Sequence, residues 1–187
     1  MICSYHPKLV QRMVDETPKT IVGLITLSLL LIWMFYDHVP IEMIVLWALA
    51  QSVFIYLRYL NAKVLRLHLK NNDIQKINEH IKYFLAFIIY SAFIWNIGAL
   101  GGVYYSPANY EFVSITMIMG LISAGTMSLS PIFNVFLVYY FLMLTPQLFM
   151  MIKYGESPHI ALLVLSFIYI PYIFMLSRSI YKNLLNT

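Results

Sequence analysis

Long apolar runs separated by short polar breaks dominate the chain. A helix needs about 20 mostly apolar residues to cross the hydrocarbon of a bilayer. Six runs meet that length, at about 18–36, 41–60, 83–104, 110–129, 132–152 and 159–176. Their boundaries carry helix-breaking chemistry. Asp37-His38-Val39-Pro40 stops the first, Ser106-Pro107-Ala108-Asn109 closes the third, and Pro131 separates the fourth from the fifth. Tyr154-Gly155-Glu156-Ser157-Pro158 turns the chain into the sixth. Pro18 opens the first run, where a proline is tolerated because its missing N–H would be unsatisfied anyway. The pattern predicts an all-α, polytopic membrane protein with six transmembrane helices.

Three segments depart from this pattern. Residues 1–19 form a lead in which Leu9, Val10, Met13 and Val14 recur at helical spacing, with Lys8, Arg12 and Asp15 on other faces. This reads as a short interfacial helix lying on the inner leaflet. Residues 61–82 form the one substantial polar stretch. Its helical pattern breaks at Asn71-Asn72 and restarts at Asp73, a favourable N-cap, so it reads as a helical hairpin projecting into the cytoplasm. Arg58, just before it, is expected to snorkel to the headgroups. Residues 177–187 keep a helical pattern, with Ile180, Leu184 and Leu185 apolar, and read as the start of a cytoplasmic output helix.

Composition agrees with a lipid environment. Hydrophobic residues make up 61% and charged residues 11%, and the mean hydropathy is +0.76. A soluble domain carries about a quarter charged residues. Six spans use nearly all of the 187 residues, which leaves no room for a soluble catalytic domain. The single Cys3 excludes an intramolecular disulfide. The first apolar run follows a polar lead and lacks a small-residue cleavage site, so no cleavable signal peptide is expected.

Charge then sets the orientation. Lys8, Arg12, Lys19, Arg58, Lys63, Arg66, Lys70, Lys76, Lys82, Arg178 and Lys182 fall on one side of the predicted topology, and Lys153 alone on the other. By the positive-inside rule both termini are cytoplasmic, and the expected location is a bacterial inner membrane. The formal charge of +4 is explained by this asymmetry, so no nucleic-acid partner is expected.

Catalysis needs positioned ionisable groups, and every Asp, Glu, Lys and His falls at a predicted span end or loop. The reading is non-catalytic, with no cofactor. The five histidines make no metal-ligand motif. His38 and His159 share the outer face with Asp37, Glu42, Glu111 and Glu156. Solvated loops are the expected state there, a metal or cationic ligand the alternative. Small residues on the third and fourth spans, Gly98, Gly101, Gly102, Gly120 and Ala124, are candidate helix-packing positions, because close backbone approach is a common device in lipid. Trp47, Gln51, Trp95, Asn96 and Asn134 combine aromatic surface with uncharged polar groups at membrane depth. They are the candidate lining of a small-molecule site, although interhelical hydrogen bonds explain the polar groups equally well. Pro171 inside the sixth span is a candidate hinge, and Pro171, Arg178, Ile180 and Leu184 are the candidate output residues.

Taken in order, these features resemble a known arrangement. Tyr56 and Arg58-Tyr59 end the second span before a basic hairpin, and Trp95-x-x-Gly98-Ala99 lies in the third. Gly120-x-x-Ser123-Ala124-Gly125 and Ser128-x-x-Pro131 end the fourth, and Ser177-Arg178-x-Ile180-x-Lys182 follows the sixth. Over essentially its whole length the chain resembles the six-helix, N-terminal membrane input region of bacterial GGDEF diguanylate cyclases and sensor histidine kinases. The resemblance implies a signal-input module that perceives a small or membrane-soluble cue. It also implies a homodimer and a cytoplasmic effector domain in cis, and carries over no binding residues. An excised input domain, or a natural protein lacking its effector, is the expected form. A channel or facilitator for a neutral solute, and a structural accessory subunit of a membrane complex, are the alternatives.

Overall fold

In the computed structural model, residues 7–107, 109–154 and 157–186 are described, and at 154, 157, 158 and 184–186 the backbone alone. Cys3, His6, Glu156 and Thr187 lie outside that set, as do the side chains of Leu184 and Leu185. Six helices account for almost all of it: α1 (Pro7–Phe35), α2 (Ile41–Lys70), α3 (Ile74–Tyr105), α4 (Tyr110–Leu129), α5 (Phe133–Tyr154) and α6 (Ser157–Asn186). A 3-10 turn, Ser130–Ile132, joins α4 to α5. No strand occurs among the described residues.

Five helical runs are long and apolar enough to cross a membrane, one of them being Tyr110–Lys153. That run is folded back on itself. Ile115 and Met119 near the start of α4 pack in one cluster with Leu148, Met150 and Met151 near the end of α5. Gly125 meets the ring of Tyr139, a Cβ there falling 2.6 Å from Cε1. Fourteen residues of straight helix would hold those positions about 21 Å apart. Pro131, inside the 3-10 turn, makes the reversal possible.

The break between α2 and α3 lies where the sequence places it. Asn72 has φ 50°, in the left-handed region Asn tolerates, and the Asp73 side chain accepts a hydrogen bond from Lys76 N at 3.3 Å. The basic lead differs from its expected form. It is the first turns of α1, which passes through Pro18 as one helix of 29 residues. Leu9, Val10, Met13 and Val14 are buried within the protein. Val10, Met13 and Val14 share the main core with Leu65, Ile77 and Ile81 of the α2–α3 extension. That extension exists because α2 and α3, of 30 and 32 residues, are about 45 Å long or more, well beyond the ~30 Å of hydrocarbon. Its apolar face covers the buried side of the lead.

Helix packing thus gathers the basic residues of α1, α2, α3 and α6 at one end of the bundle. An ion pair, Arg66–Asp15 at 3.6 Å, ties α2 to α1 there. At the opposite end Phe35 packs on Tyr110 at 5.8 Å between centroids, and His38 Nε2 lies 2.9 Å from Tyr110 Oη. Glu111 and His159, expected in solvated loops, are buried against each other at 3.1 Å, because α4 and α6 begin side by side.

Candidate functional site

α2 and α3 run antiparallel in a register that brings Trp47 beside Ile94, Arg58 beside Phe84 and Asn61 beside His80. Every third or fourth residue of each helix therefore meets the other along one seam. Trp47 donates from Nε1 to the Ile94 carbonyl at 2.8 Å, and its ring meets Trp95 edge-on, with centroids 5.5 Å apart. Gly98 makes this possible, since a Cβ there would stand 2.7 Å from Trp47 Cε2. Gly102 admits Phe35 in the same way.

Asn96 sits on the face of α3 that meets α5. Its amide donates to the carbonyls of Ala92, at 2.8 Å, and Leu142, at 3.1 Å. Its oxygen accepts from Gln147 Nε2 at 2.9 Å. Gln51 is buried, and neither end of its amide has a hydrogen-bond partner among the described residues. An unsatisfied buried amide costs about 1–3 kcal/mol.

Of the five sequence-derived lining residues, then, Trp47, Gln51, Trp95 and Asn96 are buried along the α3 seams. Asn134 is not with them: it is exposed on the outer surface of α5. The small-residue candidates divide similarly. Gly98 and Gly102 make close approaches, whereas a Cβ on Gly101 or Gly120 would meet nothing within 4 Å. Ala124 is exposed, and Gly125, one residue on, makes the α4–α5 approach.

Beside Trp47 and Gly98 there is only a small cavity, about 60 Å³. A larger cavity, about 250 Å³, lies nearer the basic end, between α1 and α4. Its wall is mostly apolar, with Leu24, Leu27, Ile88 and Leu121 among its members. Arg58, Ser91 and Tyr139 also line it, from α2, α3 and α5. Gly23, Ala124 and Met127 belong to the lining and are exposed, so the cavity opens sideways toward the lipid-facing surface. Lys19 and Glu16 belong to its basic-end rim.

Arg58 corrects the sequence expectation most sharply. It does not snorkel: only 4% of its surface is exposed. Its guanidinium carbon stands 5.5 Å from the centroid of Phe84, a cation–π contact. Nε has no hydrogen-bond partner among the described residues. Glu16, the acidic residue of the lining, is engaged by Arg12 and Lys19 at 3.1 Å each. A guanidinium stays charged in proteins, so the cavity contains a fixed positive charge. The sequence signal that pointed to it was an arginine inside an otherwise apolar run; its depth alone was read as surface.

At the basic end of α6, Arg178 is exposed and Ile180 half-buried, while Pro171 is exposed within an unbroken helix. Ser177 is fully buried, and Ser130 of the 3-10 turn donates to its hydroxyl at 2.7 Å. This contact ties α6 to the α4–α5 reversal. No three-residue metal-ligand cluster occurs among the described residues. No protein-family model, curated protein or solved structure matches the chain.

Proposed function

We propose that the chain is a membrane signal-input module of six crossings, basic end in the cytoplasm, that passes a conformational change along α6 to a cytoplasmic effector. One observation carries the reading. α6 runs unbroken from the far end of the bundle to Asn186 at the basic end, and is fastened there through Ser177 to Ser130. A shift of α4 or α5 at their reversal therefore acts directly on the helix that leaves the bundle. The mostly apolar cavity beside α4, with Arg58 in its wall, supplies a place for a cue to bias one arrangement over another. The resemblance to input regions of diguanylate cyclases and histidine kinases supports the same reading, and extends it to a homodimer in a bacterial inner membrane with the effector in cis.

The test joins a diguanylate cyclase reporter after Thr187 and compares the parent with Ser177→Leu. The module predicts a changed cyclic dinucleotide output at equal protein level, and an unchanged output would sink it. A solute facilitator is the second reading, favoured by the buried side-chain amides of Gln51, Asn96 and Gln147. Solute flux through reconstituted liposomes would establish that reading in place of the first.

A further inference from the structure

Arg58 is a permanent cation in an apolar bundle, and a buried charge is costly unless it is paired. Its contacts are incomplete: the Phe84 ring takes one face, and Nε is unpartnered among the described residues. The wall of the cavity it lines also includes the hydroxyl-bearing Thr20, Ser91, Ser128 and Tyr139, with Lys19 and the Glu16 it pairs with at the rim. A cation with flanking hydroxyls is the recognition chemistry of a carboxylate or a phosphate.

Position narrows the ligand further. Arg58 lies 17 residues into α2, about 26 Å along the helix from its start at Ile41. That is close to the full ~30 Å depth of hydrocarbon, near where the headgroups of one leaflet lie. The cavity opens sideways between α1 and α4, at Gly23 and Ala124, and the exposed surface above it is apolar, with Val22 at 64% and Met127 at 63% exposure. A volume of about 250 Å³ is smaller than the ~300–1,000 Å³ of pockets that enclose whole drug-sized ligands. It suits a small head and the first carbons of a chain that continues outside.

We infer that this cavity binds the anionic head, carboxylate or phosphate, of a membrane amphiphile, with Arg58 as its counter-charge and the acyl chain lying in the α1–α4 seam. The inference rests on the membrane reading above and names the ligand class of the proposed module. Binding is read on the isolated protein without an effector, so failure to bind and failure to signal are separate results.

The experiment is native mass spectrometry of the delipidated full chain in detergent, titrated separately with oleate, oleoyl lysophosphatidate, oleyl alcohol and inorganic phosphate. One of the two anionic amphiphiles binds with unit stoichiometry, at least about tenfold more tightly than the alcohol, the weight of one charge-assisted hydrogen bond. Which of the two binds identifies the head as carboxylate or phosphate. Arg58→Gln lowers that binding by at least about tenfold. Ala124→Phe, a change at an exposed position that leaves Arg58 in place, blocks the mouth and lowers binding equally, which keeps the test decisive should the arginine variant misfold. Equal binding of oleate, lysophosphatidate and the alcohol, or wild-type binding by both variants, overturns the inference. Inorganic phosphate binding as tightly as the amphiphiles overturns it too, in favour of a soluble anion.

Discussion

Gly101 and Gly102 are neighbours on α3 with opposite surroundings, and alanine should stabilise the protein at the first and not at the second. At Gly101 an added Cβ meets nothing within 4 Å. The substitution then acts through helix propensity alone, a stabilisation of about 1 kcal/mol. At Gly102 the same Cβ would stand 2.6 Å from both Cε2 and Cζ of Phe35. That ring is 1% exposed and packed on Tyr110, so it has little room to withdraw. Overpacking of this kind costs about 1–3 kcal/mol. Set against the same propensity gain, Gly102→Ala is neutral to about 2 kcal/mol destabilising. The difference between the two variants is the overpacking cost itself. Denaturant titration in a mild detergent, followed by tryptophan fluorescence, measures it. If Gly102→Ala proves as stable as Gly101→Ala, the assignment of these faces is refuted.

Three further outcomes follow from the same geometry. Asn96→Leu strips Gln147 of a buried acceptor and should destabilise by about 1–3 kcal/mol, while adding Gln147→Leu recovers much of the loss because no amide is left unpaired; additive losses in the same titration would contradict this. His80, beside His68 at 5.3 Å and bonded to Asn61, has its pKa lowered by burial first and by His68 second, with Glu79 opposing. The folded hairpin therefore favours neutral imidazole, and its stability is full above the ordinary value of 6.5 and falls as pH drops through and below it. Amide protection factors over residues 62–82 should decline on acidification and lose that dependence in His80→Asn; protection that rises with acid would count against it. Cysteines placed at Asp37, Asp73, Asn109 and Ser179, with Cys3 replaced by Ser, should label from opposite sides of the membrane. Positions 73 and 179 belong to one side and 37 and 109 to the other. Were α4 and α5 a single crossing, 179 would label from the side opposite 73.

How much of this was legible in the sequence depended on how local the cause was. Asn71-Asn72-Asp73 and Pro131 act within a few residues of themselves, so the breaks they make could be read directly. Pro18 was locally ambiguous: it suits a helix start, but burial of Val10, Met13 and Val14 on the α2–α3 extension carries α1 straight through it. Facing was harder. α4 and α5 are apolar on all sides, so their periodicity does not say which side meets a neighbour. Asn134 turned out exposed for that reason, and Gly125 made the approach expected of Gly120 and Ala124. Trp47 and Asn96 are buried at interhelical seams, Trp47 of α2 against α3 and Asn96 of α3 against α5. Arg58 and the Glu111–His159 pair were misjudged because their burial comes from helices distant in sequence.

The reading as an input module requires α6 to move against the α4–α5 reversal, and a reversible lock between Ser130 and Ser177 tests that most directly. Their hydroxyl oxygens are 2.7 Å apart, close enough for a disulfide after Ser130→Cys and Ser177→Cys with Cys3 replaced by Ser. In the chain carrying the cyclase reporter, the reduced protein should keep a variable output. Oxidation should fix the output several-fold away from the reduced level, with full recovery on reduction. Equal output from oxidised and reduced protein, with the disulfide verified by mass spectrometry, would contradict transmission through α6.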